Sequence, residues 1–341
     1  MATLYGRKWT RAELLPYVGD MSQIAGIKLG EWSDGPERGL RIAEVRTGSG
    51  LEFTLLIDRG LDLGPASYRG LPLAWISPAG FAHPSFYEPE GLGWLRTFGG
   101  GLMTGCGLTH LGSPGEDEGE ALGLHGRLSH LPARNLRVNQ EWQGDECAFW
   151  VEGEVRQARL FAEDLRLTRR VTSWLGQDRI LIQDRIENLG EAPSPLMILY
   201  HINLGFPLLD ETCTLTAEPH PVHPRDAVAA PGLGDWMRFQ QPTHGYKEQV
   251  FYHDLPADRD GWAAVTLSNP TRQLSLTVRF QKNTLPNLVE WKMMGHAAYV
   301  LGLEPANCWV DGRSQERANG TLQVIEPGEQ RHFQVEITLN P

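Results

Sequence analysis

The stretch 164-DLRLTRRVTSWLGQDRILIQDRIEN-188 decides the fold class. Leu165, Leu167 and Val171 recur at every second position, and Arg169 is the charged residue that breaks the row. A period of two belongs to a strand with one face buried, whereas a helix would repeat at 3.6. Leu175-Gly176-Gln177-Asp178 then supplies turn residues, and a second strand is expected over 178–188. The same reading extends in both directions. Leu274, Leu276, Val278 and Phe280 alternate without a break. Further strands are expected at 134–139, 146–156, 195–204, 211–217, 246–253, 262–268, 273–280, 287–293, 298–303, 321–325 and 332–338. Upstream, Arg41 to Arg46 and Leu51 to Ile57 flank the turn 47-TGSG-50 as a hairpin. Helical periodicity is scarce, so the chain reads as all-β, a sandwich of large antiparallel sheets with short helices and long loops.

The 38 glycines and 23 prolines among 341 residues agree with many short strands joined by turns. Residues 64–120 hold much of the proline, the run Gly99-Gly100-Gly101, and the aromatics Trp75, Phe81, Phe86, Tyr87, Trp94 and Phe98. That combination is expected to form ordered loops packed on a sheet, with 113-SPGEDEGE-120 as an exposed acidic turn. Arg11 to Tyr17 reads as a short helix ended by Pro16, inside an N-terminal extension of residues 1–35. No shift in composition divides the chain, so a single domain over 1–341 is expected.

Lys and Arg number 31 against 42 Asp and Glu, a net charge of −11 that disfavours nucleic acid and anionic membranes as partners. Arg166, Arg169 and Arg170 are the nearest approach to a basic patch. Cys106, Cys147, Cys213 and Cys308 are widely spaced and form no CxxC, which argues against a disulfide framework. The first twenty residues lack a signal-peptide apolar run, and a reduced, cytoplasmic protein is expected.

No dinucleotide, P-loop, GxSxG, HExxH or EF-hand pattern is present. The chemistry must come from polar residues in unusual settings. His125 lies in 123-GLHGR-127, where glycines let the backbone approach a ligand, although a structural loop histidine would read the same. His201 ends the apolar run 196-LMILY-200 and neighbours Asn203; such a histidine is either a satisfied core residue or an acid–base group. Glu304 ends 298-AYVLGL-303, where a carboxylate is either paired, to Arg59, Arg127 or Lys292, or carries the raised pKa that suits a base at neutrality. Asp58-Arg59-Gly60-Leu61-Asp62 is a ligand clamp or an ion-paired corner. Trp291 could stack on a sugar or fill core, and Lys292 places a charge beside it. His220 and His223 share a turn but offer too few ligands for a metal.

With these residues in place, the chain resembles the aldose 1-epimerase (galactose mutarotase) superfamily, and within it a bacterial DUF4432 branch. The matching pieces are 56-LIDRGLDLG-64, 124-LHGR-127, 200-YHINLG-205 and 303-LEP-305, in the same order along the chain. The resemblance implies a β-supersandwich holding a small-molecule carbohydrate on an open sheet face. It implies that His201 protonates the ring oxygen, that Glu304 removes the anomeric hydroxyl proton across a ring-sized gap, and that His125 orients the sugar. Arg59, Asp58, Arg127, Asn203, Trp291 and Lys292 become candidate substrate contacts. No metal or other cofactor is implied, because the sugar carbonyl is itself the electrophile. The pattern departs from that of the mutarotases in offering Asp58-Arg59-Gly60 where they carry an Asn-Arg pair, and in lacking a clear counterpart of their aspartate. Alternatives are another sugar epimerase or lyase, metal-assisted through a histidine and Glu304, and a non-catalytic carbohydrate-binding protein. A homodimer through an exposed sheet edge is a further expectation.

Overall fold

A computed structural model describes residues 1–341. Two large antiparallel sheets pack face to face. The first has eight strands, ordered Arg134–Gln143, Glu146–Ala158, Asp164–Trp174, Arg179–Asn188, Gln330–Asn340, Leu274–Gln281, Trp262–Asn269 and Thr214–Ala217. The second has eleven strands and runs from Val222–Pro224 through Gln249–His253, Asn287–Met294, Tyr299–Ala306, Met197–Gly205, Met103–Leu108 and Asp62–Tyr68. It ends at Leu51–Leu56, Arg41–Arg46 and Gly26–Glu31, with Leu71–Pro72 added beside Asp62–Tyr68. This is the β-supersandwich architecture that the alternating pattern and the resemblance imply.

Alternation assigns the two faces of the larger sheet. Ile198, Tyr200, Ile202 and Leu204 point into an inter-sheet core of 54 buried residues, joined there by Leu165, Leu167 and Val171 from the opposite sheet. Met197 and Leu199 point the other way, into a smaller cluster with Trp94, Phe98 and Cys106. His201 shares this second face because it lies two residues beyond Leu199.

Arg169 does not break the inward row; it is fully buried within it. Its guanidinium makes a forked contact with Asp184, in register on the next strand, and Nη1 donates to Asp62 Oδ1 at 2.7 Å and to the Gly60 carbonyl. The Tyr200 hydroxyl donates to the same Asp184 at 2.7 Å. Burial opposes the Arg169 charge, but Asp184 and Asp62 outweigh it and hold the group protonated.

Elsewhere the expected elements need adjustment. The 64–120 stretch contains most of Asp62–Tyr68, the short Leu71–Pro72 beside it and the central Met103–Leu108, all strands of the large sheet. Gly105 and Gly107 hide the last of these from propensity, yet it is buried throughout. The acidic 113–120 turn is not simply exposed. Asp117 is buried between Arg313 and Arg317 in a short hairpin, Gly115–Asp117 with Glu120–Leu122. The N-terminal helix spans Arg11–Leu14, with a Thr10–Glu13 capping box, and Pro16 lies inside a following 3-10 turn instead of ending the helix. The first residues are packed: Ala2, Leu4 and Leu14 meet Cys147, Phe149 and Leu175. All four cysteines are free and buried. No helix is long and apolar enough to cross a membrane.

Replacing Arg169 by Met should leave two carboxylates buried without a counter-charge, at a cost of about 3–5 kcal/mol. Urea unfolding of Arg169→Met measures it. A stability within about 1 kcal/mol of the parent would show that the pair is dispensable.

Candidate active site

Three neighbouring strands build the floor. The register that pairs Ile202 with Leu303 places His201 opposite Glu304, and Trp291 on the next strand faces Gly302. All three side chains leave the sheet on the face away from the main core. His201 Nε2 lies 3.1 Å from Glu304 Oε1. The approach lacks hydrogen-bond alignment, which leaves Glu304 Oε1 buried without a partner; His201 Nδ1 and Asn203 Oδ1 nearby are buried and unpartnered as well. Gly302 makes room for the carboxylate, since a Cβ there would sit 2.5 Å from Glu304 Oε1.

His125 reaches the floor from a loop. It holds a left-handed backbone (φ 56°), and its ring centre lies 6.0 Å from that of His201 and 4.8 Å from that of Trp94. The three groups open into a cavity of about 810 Å³. Trp75, Trp94, Phe98 and Trp291 form its walls, with Leu92 and Leu95 toward the rim. Arg225 and Glu248 stand at one side, where the Trp291 indole N–H donates to Glu248 Oε2 at 2.8 Å. A larger concavity of about 920 Å³ lies on the N-terminal strands, around Lys28, Glu44, Arg46 and Glu52. It is an open, salt-lined sheet surface far from the histidines, and the smaller cavity is the one with convergent acid–base groups.

Electrostatics sharpen the contrast. Burial pushes the Glu304 carboxyl well above its ordinary range; the Glu248 charge adds to this and Arg225 opposes it. Burial also pushes His201 down to about 4. His125 falls to about 3, through burial and then through the charges of His201, His110 and Arg225. Burial therefore disfavours charge on each of the three. The arrangement that satisfies both His201 and Glu304 is one proton held between them, on the carboxyl or on Nε2.

The remaining sequence candidates lie elsewhere. Asp58 is bonded by the Arg41 side chain and backbone N–H, an ion-paired corner and not a clamp. Arg59 is buried and donates to the carbonyls of Ala82 and Thr97, where burial lowers its pKa to about 10. Arg127 is exposed outside the cavity. Asn203 supports the floor, its amide donating to the carbonyls of Gly101 and His201. Lys292 points to the opposite face from Trp291 and donates to the carbonyls of Asp235 and Arg238. Glu304 thus pairs with none of Arg59, Arg127 or Lys292, and no ring-sized gap separates it from His201. His220 joins His253, which meets Glu290, away from the cavity, while His223 is exposed. No group of three or more His, Cys, Asp or Glu side chains is arranged to hold a metal ion.

Sequence reasoning missed Arg225 and Glu248. Arg225 follows the short edge strand Val222–Pro224, and Glu248 precedes the strand Gln249–His253, so neither interrupts an apolar run. The wall aromatics Trp75, Trp94 and Phe98 were visible only as an aromatic-rich loop region.

Comparison with known structures places this cavity in context. A Klebsiella pneumoniae protein provisionally assigned as an aldose 1-epimerase superposes with a TM-score of 0.88 at 25% identity, over 94% of this chain and 86% of that one. A galactose mutarotase-like protein from Clostridium acetobutylicum gives 0.65 at 11% identity, over 93% and 99%. The Slr1438 protein of Synechocystis gives 0.62 at 18%, over 87% and 94%. Comparison with curated proteins yields no match. The model of the domain of unknown function DUF4432 matches residues 37–339, and the chain therefore belongs to the DUF4432 family, within the aldose 1-epimerase and galactose mutarotase-like superfamily.

Proposed function

We propose that the protein interconverts the anomers of a neutral sugar, with Glu304 and His201 as the proton-transfer pair and His125 as a sugar-orienting group. The observation that carries this reading is the buried carboxylate–imidazole contact of 3.1 Å on the floor of an aromatic-walled cavity. Likeness to the Klebsiella protein supports it.

The contact suits the reaction. The anomeric hydroxyl oxygen and the ring oxygen are both bonded to the same carbon. A ring lying over the pair, and not between its members, presents one oxygen to each. In the charge-separated form of the pair, Glu304 takes the hydroxyl proton while Nε2 of His201 gives its proton to the ring oxygen. The bond from the anomeric carbon to the ring oxygen breaks, and the anomeric carbonyl forms. The pair is now carboxylic acid and neutral imidazole. Rotation about the first carbon–carbon bond presents the other carbonyl face. Reclosure reverses both transfers and restores the starting pair. Protons balance over the cycle, and no redox partner or metal is called for by the chemistry. Trp75, Trp94 and Trp291 offer ring faces to the sugar C–H surface.

Charge at the rim favours a neutral substrate. Arg225 is the single cation lining the cavity, and it already contacts Asp226 at 3.1 Å and Glu248 at 3.5 Å. A sugar carboxylate would meet two carboxylates for one guanidinium.

Three outcomes test this reading. Glu304→Gln should slow anomer exchange by about 10²–10⁴-fold in saturation-transfer NMR on a panel of aldoses, and unchanged exchange would remove Glu304 from the base role. The rate should fall as pH drops through about 4. The sign follows from His201, whose pKa lies below that of a free imidazole: only in acid does it take a proton while Glu304 still holds its own, leaving no base. A limb centred near 6.5 would indicate an exposed histidine instead. Uronates should turn over more slowly than the parent aldoses, and Glu248→Gln should narrow the difference. Equal rates in the parent enzyme would contradict the neutral preference.

A further inference from the structure

The loop that carries His125 hangs mostly on backbone: the Leu124 N–H donates to the Gly91 carbonyl at 2.9 Å, and the one direct side-chain tie is the Tyr87 hydroxyl, which donates to the Gly126 carbonyl at 2.9 Å. The His125 N–H donates to the Gly112 carbonyl at 3.0 Å, and its carbonyl accepts from the Gly107 N–H at 3.1 Å. The Arg127 N–H returns to the Gly107 carbonyl at 3.0 Å. Gly126 lets the two segments touch: a Cβ there would lie 2.3 Å from the His110 carbonyl oxygen and 2.6 Å from that of Gly107. Both backbone hydrogen bonds of His125 itself run to residues 107–112, so its left-handed backbone depends on the shape of that segment.

That segment is itself tied by two buried side chains from remote elements. Gln157, on the opposite sheet, accepts from the Leu108 N–H at 3.2 Å and donates to Thr109 Oγ1 at 2.8 Å. Arg313, at the start of the Arg313–Asn319 helix, donates Nη1 to the Thr109 carbonyl at 3.3 Å, and its N–H meets His110 Nδ1 at 3.4 Å. The rest of its guanidinium is anchored on Asp117 and Glu120, both at 2.7 Å. Neither Gln157 nor Arg313 lines the cavity.

We propose that Arg313 and Gln157 are positioning residues for His125, acting through the 107–112 segment to set where its ring meets the sugar. The catalytic part of this inference rests on the function proposed above; the structural part does not. Lysine in place of Arg313 keeps a charge for Asp117 but loses the fork that also reaches Thr109. Misplacement of a substrate-orienting group by about 1 Å costs about 10²-fold in rate.

Arg313→Lys should therefore lower kcat for anomer exchange by about 10–100-fold with a smaller change in KM. In a His125→Ala background the same substitution should have no further effect. Multiplying losses would overturn the proposal, because a general packing defect acts whatever residue 125 is. Thr109→Val, which removes only the hydroxyl partner of Gln157, should give the same non-additive pattern at about two- to fivefold, and it decides the matter if Arg313→Lys does not fold. Amide hydrogen exchange supplies an arm independent of catalysis. The His125 amide should lose at least about tenfold protection in either variant, while the amides of Met197–Gly205 keep theirs. Unchanged protection of His125 would overturn the proposal. Should the parent protein turn over no sugar, the epimerase reading fails and the amide result alone decides the positioning claim.

Discussion

A guanidinium in a place closed to water constrains everything else in this molecule. Arg169 stands in the middle of the inter-sheet layer, where burying each ion costs several kcal/mol before any pairing. Only an arrangement that brings Asp184, Asp62 and the Gly60 carbonyl to it offsets that penalty. A one-residue slip of any of these strands would turn a partner to the opposite face, so the ion pair penalises wrong registers more than it rewards the right one. Tyr200 connects this constraint to the chemistry. Its hydroxyl on Asp184 fixes the height of the Met197–Gly205 strand against the opposite sheet. The next residue, His201, then projects from the other face at a defined depth.

The larger sheet is consequently two-sided in a strict sense. One face packs mainly hydrocarbon against the smaller sheet, around the Arg169, Asp184 and Tyr200 network. The other is lined by aromatics but carries His201 and Glu304 among them. Four of the ten buried polar side-chain atoms without a partner, His201 Nδ1, Asn203 Oδ1, Glu304 Oε1 and His125 Nδ1, lie around this one floor. A stable core does not leave such groups open, because each lost hydrogen bond carries a desolvation penalty. The same low-dielectric surroundings disfavour charge on both members of the pair and favour the proton on the Glu304 carboxyl.

Much of this was legible in the sequence, and the reasons for what was not are physical. Alternation over 164–174 gave that strand its observed ends, because its inward row is long and strongly apolar. Met103–Leu108 stayed hidden because Gly105 and Gly107 lower strand propensity at a site where backbone packs on backbone. His201 and Glu304 stood out as polar residues in apolar runs. Arg59, Arg169 and Lys292 carry the same signature but are satisfied inside the structure by carbonyls or by carboxylates. Telling the two groups apart requires knowing which face each residue occupies. Trp291 and Lys292, adjacent in sequence, lie on opposite faces. Arg225 and Glu248 left no local signal, since loop geometry brings them to the rim. The tie between Arg313 and Thr109 spans 204 residues of sequence and has no local pattern at all.

The floor and the rim of the cavity are built from different kinds of chain, and this bears on which parts of the site tolerate substitution. His201 and Glu304 sit on central strands whose alternate residues are core, so any drift there is felt by the whole fold. Leu92, Leu95 and Pro114 come from loops and turns that no buried strand depends on. The rim can therefore change shape without moving the strands that hold His201 and Glu304, so the cavity divides into a part fixed by the sheet and a part free to vary.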